Sequence, residues 1–152
     1  MLRWHPNGRI ESELNYTGGM LDGPVITYDK KGNRIKEEHY NMDTLNGPFR
    51  QWYSDGTPKV EGAYLSGLFA GQWVYYDPAG NIVGIGDFTE GTGVQKGWWP
   101  NGNLKREIHY RNNLKHGTET WYDQDGMLEQ QINYREGKRI SGPFGDSRKK
   151  DR

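Results

Sequence analysis

Residues 117–138 read GTETWYDQDGMLEQQINYREGK, and this stretch decides the fold because its pattern recurs along the chain. Gly126 closes a polar turn, with an aromatic residue four positions before it and another eight positions after it. Equivalent glycines recur at a nearly constant interval, and only the step from Gly80 to Gly102 is shorter than the others. These anchor glycines are Gly8, Gly32, Gly56, Gly80, Gly102 and Gly126. The chain is therefore a tandem repeat with a period of about 24 residues.

Aromatic residues flank every anchor glycine at fixed distances. Four residues before the anchors lie Trp4, Tyr28, Trp52, Tyr76, Trp98 and Tyr122, and eight residues after them lie Tyr16, Tyr40, Tyr64, Phe88, Tyr110 and Tyr134. Turn-forming residues lead into the anchors, for example DPAG at 77–80, which is typical of a type I turn closed by glycine. Further turn residues, such as Gly67 and Gly137, divide each unit again. Each repeat is therefore predicted to be a β-hairpin.

The strand after each anchor alternates apolar and polar side chains. Leu104, Ile108 and Tyr110 fall on one face, and the residues that alternate with them are charged or polar. This pattern predicts stacked antiparallel hairpins that share an aromatic face. We expect an all-β protein, an elongated single-layer antiparallel sheet of about six tandem hairpin repeats, each of about 24 residues. Residues 1–144 are predicted to form this single array, and residues 145–152 a disordered, charged tail.

Composition excludes several classes of function. The 152 residues include 20 Lys plus Arg and 20 Asp plus Glu, so a net charge of zero removes the usual electrostatic basis for binding nucleic acid or an anionic membrane. The absence of cysteine excludes disulfides and thiolate metal sites. Apolar runs are too short to span a membrane, and the N-terminus lacks the apolar stretch of a signal peptide. We expect a cytoplasmic protein, unless the chain is a segment of a longer exported protein.

Histidines and a row of glutamates are the residues that could carry catalysis or bind metal. His39 and His109 occupy one repeat position three units apart, about 30 Å in a sheet, and so cannot share a metal ion. The glutamates that recur at one position are Glu13, Glu37, Glu61 and Glu107. Adjacent repeats give roughly the 5 to 10 Å that glycoside hydrolysis requires, but no apolar pocket accompanies the row. We interpret it as a solvated polar face and expect no enzyme activity, metal or cofactor.

One face of the predicted sheet becomes apolar in the middle repeats. By alternation we place five residues together on it, and their counterparts in the end repeats are largely polar. They are Phe49, Trp73, Tyr75, Val83 and Ile85. Such a patch is either a surface that binds a partner or, where the sheet curls, internal packing, and the sequence leaves both open. As a hypothesis, these five residues are the partner-binding site.

The repeat units, and 117–138 above all, resemble MORN repeats. They are most similar to the bacterial variant found in antitoxin-like proteins of the YwqK family, and the resemblance covers about residues 4–144. It implies a non-catalytic array that binds proteins, serves as a scaffold or contacts lipids. The antitoxin label implies neutralisation of a toxin protein. The fourth unit departs from the pattern, because Gly84, Ile85 and Gly86 replace polar residues and the shorter step to Gly102 follows.

Several functions remain open from the sequence. The leading hypothesis is an antitoxin or immunity-type protein that sequesters a partner protein. The alternative is a structural or assembly module, a segment of a longer surface array that forms homo-oligomers through its sheet edges or ends. A lipid-contacting module is a further alternative, and a hydrolase is the least favoured.

Overall fold

The computed structural model describes residues 1–141, and every regular element in that range is a β-strand. The first eight strands are Leu2–Trp4 (β1), Ile10–Glu13 (β2), Tyr16–Thr17 (β3), Met20–Leu21 (β4), Gly23–Tyr28 (β5), Arg34–Asn41 (β6), Thr44–Leu45 (β7) and Gly47–Trp52 (β8). The next eight are Pro58–Leu65 (β9), Leu68–Tyr76 (β10), Ile82–Thr89 (β11), Thr92–Trp98 (β12), Leu104–Arg111 (β13), Leu114–Tyr122 (β14), Leu128–Arg135 (β15) and Lys138–Ser141 (β16). The expected end of the array at residue 144 and the tail at 145–152 lie outside the described residues.

One antiparallel sheet of 14 strands contains almost all of these elements. Its order follows the chain, β1-β2-β5-β6-β8-β9-β10-β11-β12-β13-β14-β15-β16, with β7 paired to β6, while β3 and β4 form a separate two-stranded sheet. Each hairpin therefore contacts its neighbours in sequence, as in other repeat arrays. The prediction of an all-β sheet built from consecutive hairpins is confirmed.

The anchor turns have the geometry that their sequences predict. In the turn after β10, the Gly80 N–H donates to the carbonyl of Asp77 at 3.0 Å, and Gly80 has a φ of +88°. The Asp77 carboxylate accepts the backbone N–H of Asn81 at 2.9 Å, which lowers the pKa of that carboxyl group. The register shifts by one residue between Tyr75 and Tyr76 where the turn closes, as in a bulged hairpin.

The shorter step from Gly80 to Gly102 also has a structural cause. In the β9–β10 pair, Ala70 lies opposite Ala63 but Val74 lies opposite Glu61, so β10 contains two additional residues at a bulge around Gly71. The β11–β12 pair keeps a continuous register and lacks this bulge. A Cβ at Gly93 would lie 1.8 Å from the carbonyl oxygen of Asp87, so close approach of the backbones requires glycine there.

The edge of the sheet formed by the anchor turns repeats every two units. Three residues before the anchor, alternate units carry a ring with a donor, and the others carry aspartate. The rings bond to a carbonyl of the following unit: His5 Nε2 to Tyr28 O (3.0 Å), Tyr53 Oη to Tyr76 O (2.8 Å) and Trp99 Nε1 to Tyr122 O (3.1 Å). The aspartates, which are Asp29, Asp77 and Asp123, accept N–H groups of their own turns. These bonds join the hairpins in pairs.

Substituting Tyr53→Phe tests this pairing. The change removes only the hydroxyl that bonds to the carbonyl of Tyr76, and the free energy of unfolding should fall by about 1 kcal/mol in urea denaturation. Tyr16→Phe is the control, because Tyr16 is 42% exposed and should unfold like the parent. Equal stability of Tyr53→Phe and the parent would show that the bond between units does not contribute.

Candidate functional site

An aromatic cluster occupies the centre of one face of the sheet, which we call the inner face. Trp73 is 4% exposed and forms the buried core of the cluster with Val60 and Phe88. Partly buried rings surround this core: Phe49, Tyr64, Phe69, Tyr75 and Tyr110. Ring centroids within the cluster lie 5.2 to 6.1 Å apart, the range of favourable aromatic pairs. A cavity of only about 40 Å³ remains within it.

Glycines on neighbouring strands make this packing possible. The indole of Trp73 lies directly on Gly62, where a Cβ would be 2.2 Å from Cδ2 of the ring. The indole N–H donates to the carbonyl of Ala63 at 3.2 Å. Phe88 covers Gly86 in the same way, with a Cβ position 2.5 Å from its ring. The glycine at 86 that departs from the repeat pattern therefore makes room for an aromatic ring.

The structure does not bring the five predicted site residues to one face, so that expectation is wrong. It brings three of them together on the inner face and places two on the opposite, outer face. Trp73 lies opposite Gly86, and Val74 lies opposite Ile85, so Trp73 and Ile85 are on different faces. The inner-face residues are Phe49, Trp73 and Tyr75, and the outer-face residues are Val83 and Ile85.

The error has a physical reason. The bulged anchor turn shifts the register by one residue, and a shift of one residue exchanges the two faces of a strand. The sequence shows the alternation along each strand. It does not show which residues of the strand before an anchor turn share a face with which residues of the strand after it. The burial of Trp73 agrees with the internal-packing alternative for the inner-face residues. Contact of any of the five residues with a partner stays a prediction.

The outer face carries a ladder of charges that is interrupted in the middle. One row of directly opposed residues runs Glu37, Arg50, Glu61, Val74, Ile85, Lys96 and Glu107. Charges of opposite sign face each other at both ends of the row, and Lys96 Nζ lies 3.8 Å from Glu107 Oε2. Between these charges, Val74 and Ile85 face each other without any charged group.

We call the apolar interruption the central outer patch and define it as Val74, Val83, Ile85 and Val94. All four side chains are half-buried on a single-layer sheet. A depression of about 470 Å³ lies on one side of the patch, lined by Gln72, Ile85, Asp87, Val94, Lys96 and Trp98. A second, of about 330 Å³, lies beside Val74 over Ala63 and Ala70, whose small side chains lower the surface.

Two of the histidines, His39 and His109, and several of the recurrent glutamates bond to each other or to a nearby hydroxyl group. His39 Nε2 lies 2.9 Å from Glu37 Oε1, and His109 Nε2 lies at the same distance from Glu107 Oε1. The Tyr28 hydroxyl donates to Glu13 at 3.0 Å. In the range 1–141, no group of three or more histidine, aspartate or glutamate side chains could hold a metal ion. Nor does this range contain a helix with the length and apolarity to cross a bilayer.

Comparison with known families supports the identity of the chain as a repeat protein. The sequence profile described as MORN repeat variant matches residues 92–112 and 115–136. These segments correspond to the β12–β13 and β14–β15 hairpins. MORN repeats are in general non-catalytic modules that bind proteins or lipids. No curated protein matches the chain.

A double-mutant cycle tests whether Trp73 and Gly62 act as one packing unit. Trp73→Ala removes a buried ring and should lower the free energy of unfolding by about 3–5 kcal/mol. Gly62→Ala should cost about 1–3 kcal/mol in the parent, because the new Cβ displaces the indole. In the Trp73→Ala background the same change should cost less than about 0.5 kcal/mol. Chemical denaturation measures all four proteins, and additive costs would contradict the contact.

Proposed function

We propose that this protein is a non-catalytic repeat protein that binds a partner protein through the central outer patch. We further propose that it acts on this partner as an antitoxin or immunity protein does, by sequestering it. The observation that carries the proposal is the break in the outer-face charge ladder at Val74 and Ile85. Apolar side chains at the centre of a patch, with polar groups around them, are the usual anatomy of a protein interface.

The charges around the patch favour a protein over a lipid surface. Glu61 and Asp87 lie on the same face as Lys96, so both signs flank the apolar centre. An anionic membrane would instead select a cluster of Lys and Arg. Mixed charges around an apolar centre complement another protein and set its orientation. A protein partner is therefore the occupant that this surface fits best.

The inner face is the poorer candidate for the main interface. Its largest side chain, Trp73, is already buried among the rings of its own sheet. A partner could reach it only by displacing internal packing, which costs free energy before any contact forms. The outer patch needs no such rearrangement, because Val74 and Ile85 are only half-buried and line open depressions of the outer face.

A second candidate function is assembly through the edge of the sheet. Strand β1 lies at one edge, and all three of its residues are exposed. An exposed edge strand presents unpaired backbone groups that another chain could extend. Light scattering of the purified chain tests this directly, because edge-to-edge assembly predicts a mass that grows with protein concentration.

The double variant Val74→Thr/Ile85→Thr tests the outer patch. Threonine keeps the branched shape suited to a strand but adds a hydroxyl, so we expect partner binding at least about tenfold weaker. Thr120→Ala is the matched control, on the same row about 14 Å from Ile85, and should bind like the parent. Affinity capture from cells of the source organism identifies the partner, and calorimetry with the purified pair gives the affinities.

Melting curves of the same variants show whether a loss of binding comes from the patch itself or from a less stable fold. Unchanged melting with weakened binding supports the patch, whereas unchanged binding by the double variant contradicts it. The antitoxin role needs a further measurement, in which the partner's own activity is titrated with this protein. Complete inhibition at one equivalent supports sequestration. Full partner activity in a saturated complex would favour the assembly role instead.

A further inference from the structure

Two large side chains meet over a pair of glycines on the inner face. Gly84 lies directly opposite Gly97, with Tyr75 on the next strand to one side and Arg106 on the next strand to the other. A Cβ at Gly97 would be 3.2 Å from Arg106 Nε, so the arginine side chain crosses this glycine. A Cβ at Gly84 would be 3.3 Å from the Tyr75 ring. Because Gly84 and Gly97 have no side chains, Tyr75 and Arg106 can lie across them.

The guanidinium group of Arg106 is held in place but has no acceptor. Its Cζ lies 5.6 Å from the centre of the Trp121 ring, a cation–π contact. Throughout residues 1–141 it has no ion pair or hydrogen bond, and its Nε is buried without a partner. A buried donor without an acceptor is unfavourable, and an aromatic face does not replace an anionic acceptor.

Two other half-buried cations of the inner face differ from Arg106 in this respect. Lys36 Nζ lies 2.9 Å from Glu38 Oε1, and Lys115 Nζ lies 2.8 Å from Glu119 Oε1. These two inner-face carboxylates are therefore bound by a lysine already. Among the half-buried inner-face cations of the described residues, Arg106 is the one that still lacks an anion.

The neighbours of Arg106 suit a ligand with a carboxylate group. Tyr75 and the buried side chain of Gln95, which is 7% exposed, line the same small cavity of the inner face, so polar groups lie on the side of Gly84 and Gly97 from which Tyr75 approaches. Trp121 provides an apolar surface next to the charge. A guanidinium group is planar and can donate two parallel hydrogen bonds. Carboxylate and phosphate are the common anions whose paired oxygens accept both of these bonds.

We propose that Arg106 binds a carboxylate group on the inner face, beside Tyr75 and Gln95. The ligand is an organic acid or an acidic side chain of a bound peptide, which present the same chemistry. Trp121 acts as a positioning residue, because it orders the guanidinium before the ligand arrives. The site lies on the face opposite the central outer patch and does not depend on the function proposed for that patch.

Nuclear magnetic resonance of the ¹⁵N-labelled full chain tests the site through the arginine Nε–H signals. Potassium glutarate and the peptide acetyl-Gly-Glu-Gly-amide are titrated separately, with potassium chloride at matched ionic strength as the reference. The Arg106 signal should shift and saturate with a carboxylate but not with chloride. Arg106→Lys should bind at least fivefold more weakly, with the ring signals of Trp121 as the readout, and Arg106→Gln should show no saturable shift.

Arg34→Gln is the matched control, because Arg34 also lies over a tryptophan ring, at 5.7 Å from that of Trp52, but already pairs with Glu37 at 3.8 Å. Its substitution should leave the Arg106 response unchanged. Saturation by glutarate alone supports a small organic acid as ligand, and saturation by the peptide supports an acidic segment. Shifts no larger than those with chloride, or equal shifts in Arg106→Gln, would overturn the site. Arg106→Lys keeps the charge and so keeps the test valid if Arg106→Gln fails to fold.

Discussion

The contact on which this structure most depends is the packing of aromatic rings onto glycine backbone. A single-layer sheet has no second layer to cover its apolar face, so its own side chains must exclude water. Trp73 does so by lying flat on Gly62, and repeat aromatics face a glycine on the neighbouring strand, as Tyr110 faces Gly93. Glycine weakens a strand by itself, but the ring that covers it restores contact area. The strand glycines Gly62, Gly84 and Gly86 have this cause, whereas the anchor glycines are required by their positive φ.

This mode of packing makes the two faces unequal, and the inequality bears on function. The rings of the central cluster turn toward the inner face and form a core there, while small and branched residues such as Ala63, Val74 and Ile85 lie on the outer face. The outer face is accessible, and charged residues flank its apolar centre. An accessible apolar patch suits a protein partner, and the unpaired Arg106 suits a single anionic group on the other side.

The sequence predicted the hairpins, their order and the single sheet, because the regular repeat period and the turn chemistry are local signals. It did not predict which residues share a face across a turn. That relation depends on the bulge between Tyr75 and Tyr76. A shift of the register by one residue there moves every side chain of the following strand to the opposite face of the sheet. The pairing of glycine with an aromatic ring on the neighbouring strand was present in the sequence and would have placed Trp73 opposite Gly86 on the inner face.

Both candidate sites lie near β11 and β12, where the two-unit period of the anchor turns leaves a junction without a ring bond. The ring of Tyr53 joins the third and fourth units, and that of Trp99 joins the fifth and sixth. Between the fourth and fifth units, Asp77 closes its own turn, and in the described residues no side-chain hydrogen bond crosses to the turn of Trp99. This junction also lacks the bulge and contains four strand glycines. It is held instead by the packing of Phe88 on Tyr110 and, at the opposite edge, by Asn113, whose side chain bonds to the backbone of the β9–β10 hairpin. The outer patch and Arg106 therefore both lie at a junction where the contacts between units come from the faces and the opposite edge of the sheet and not from the anchor turns.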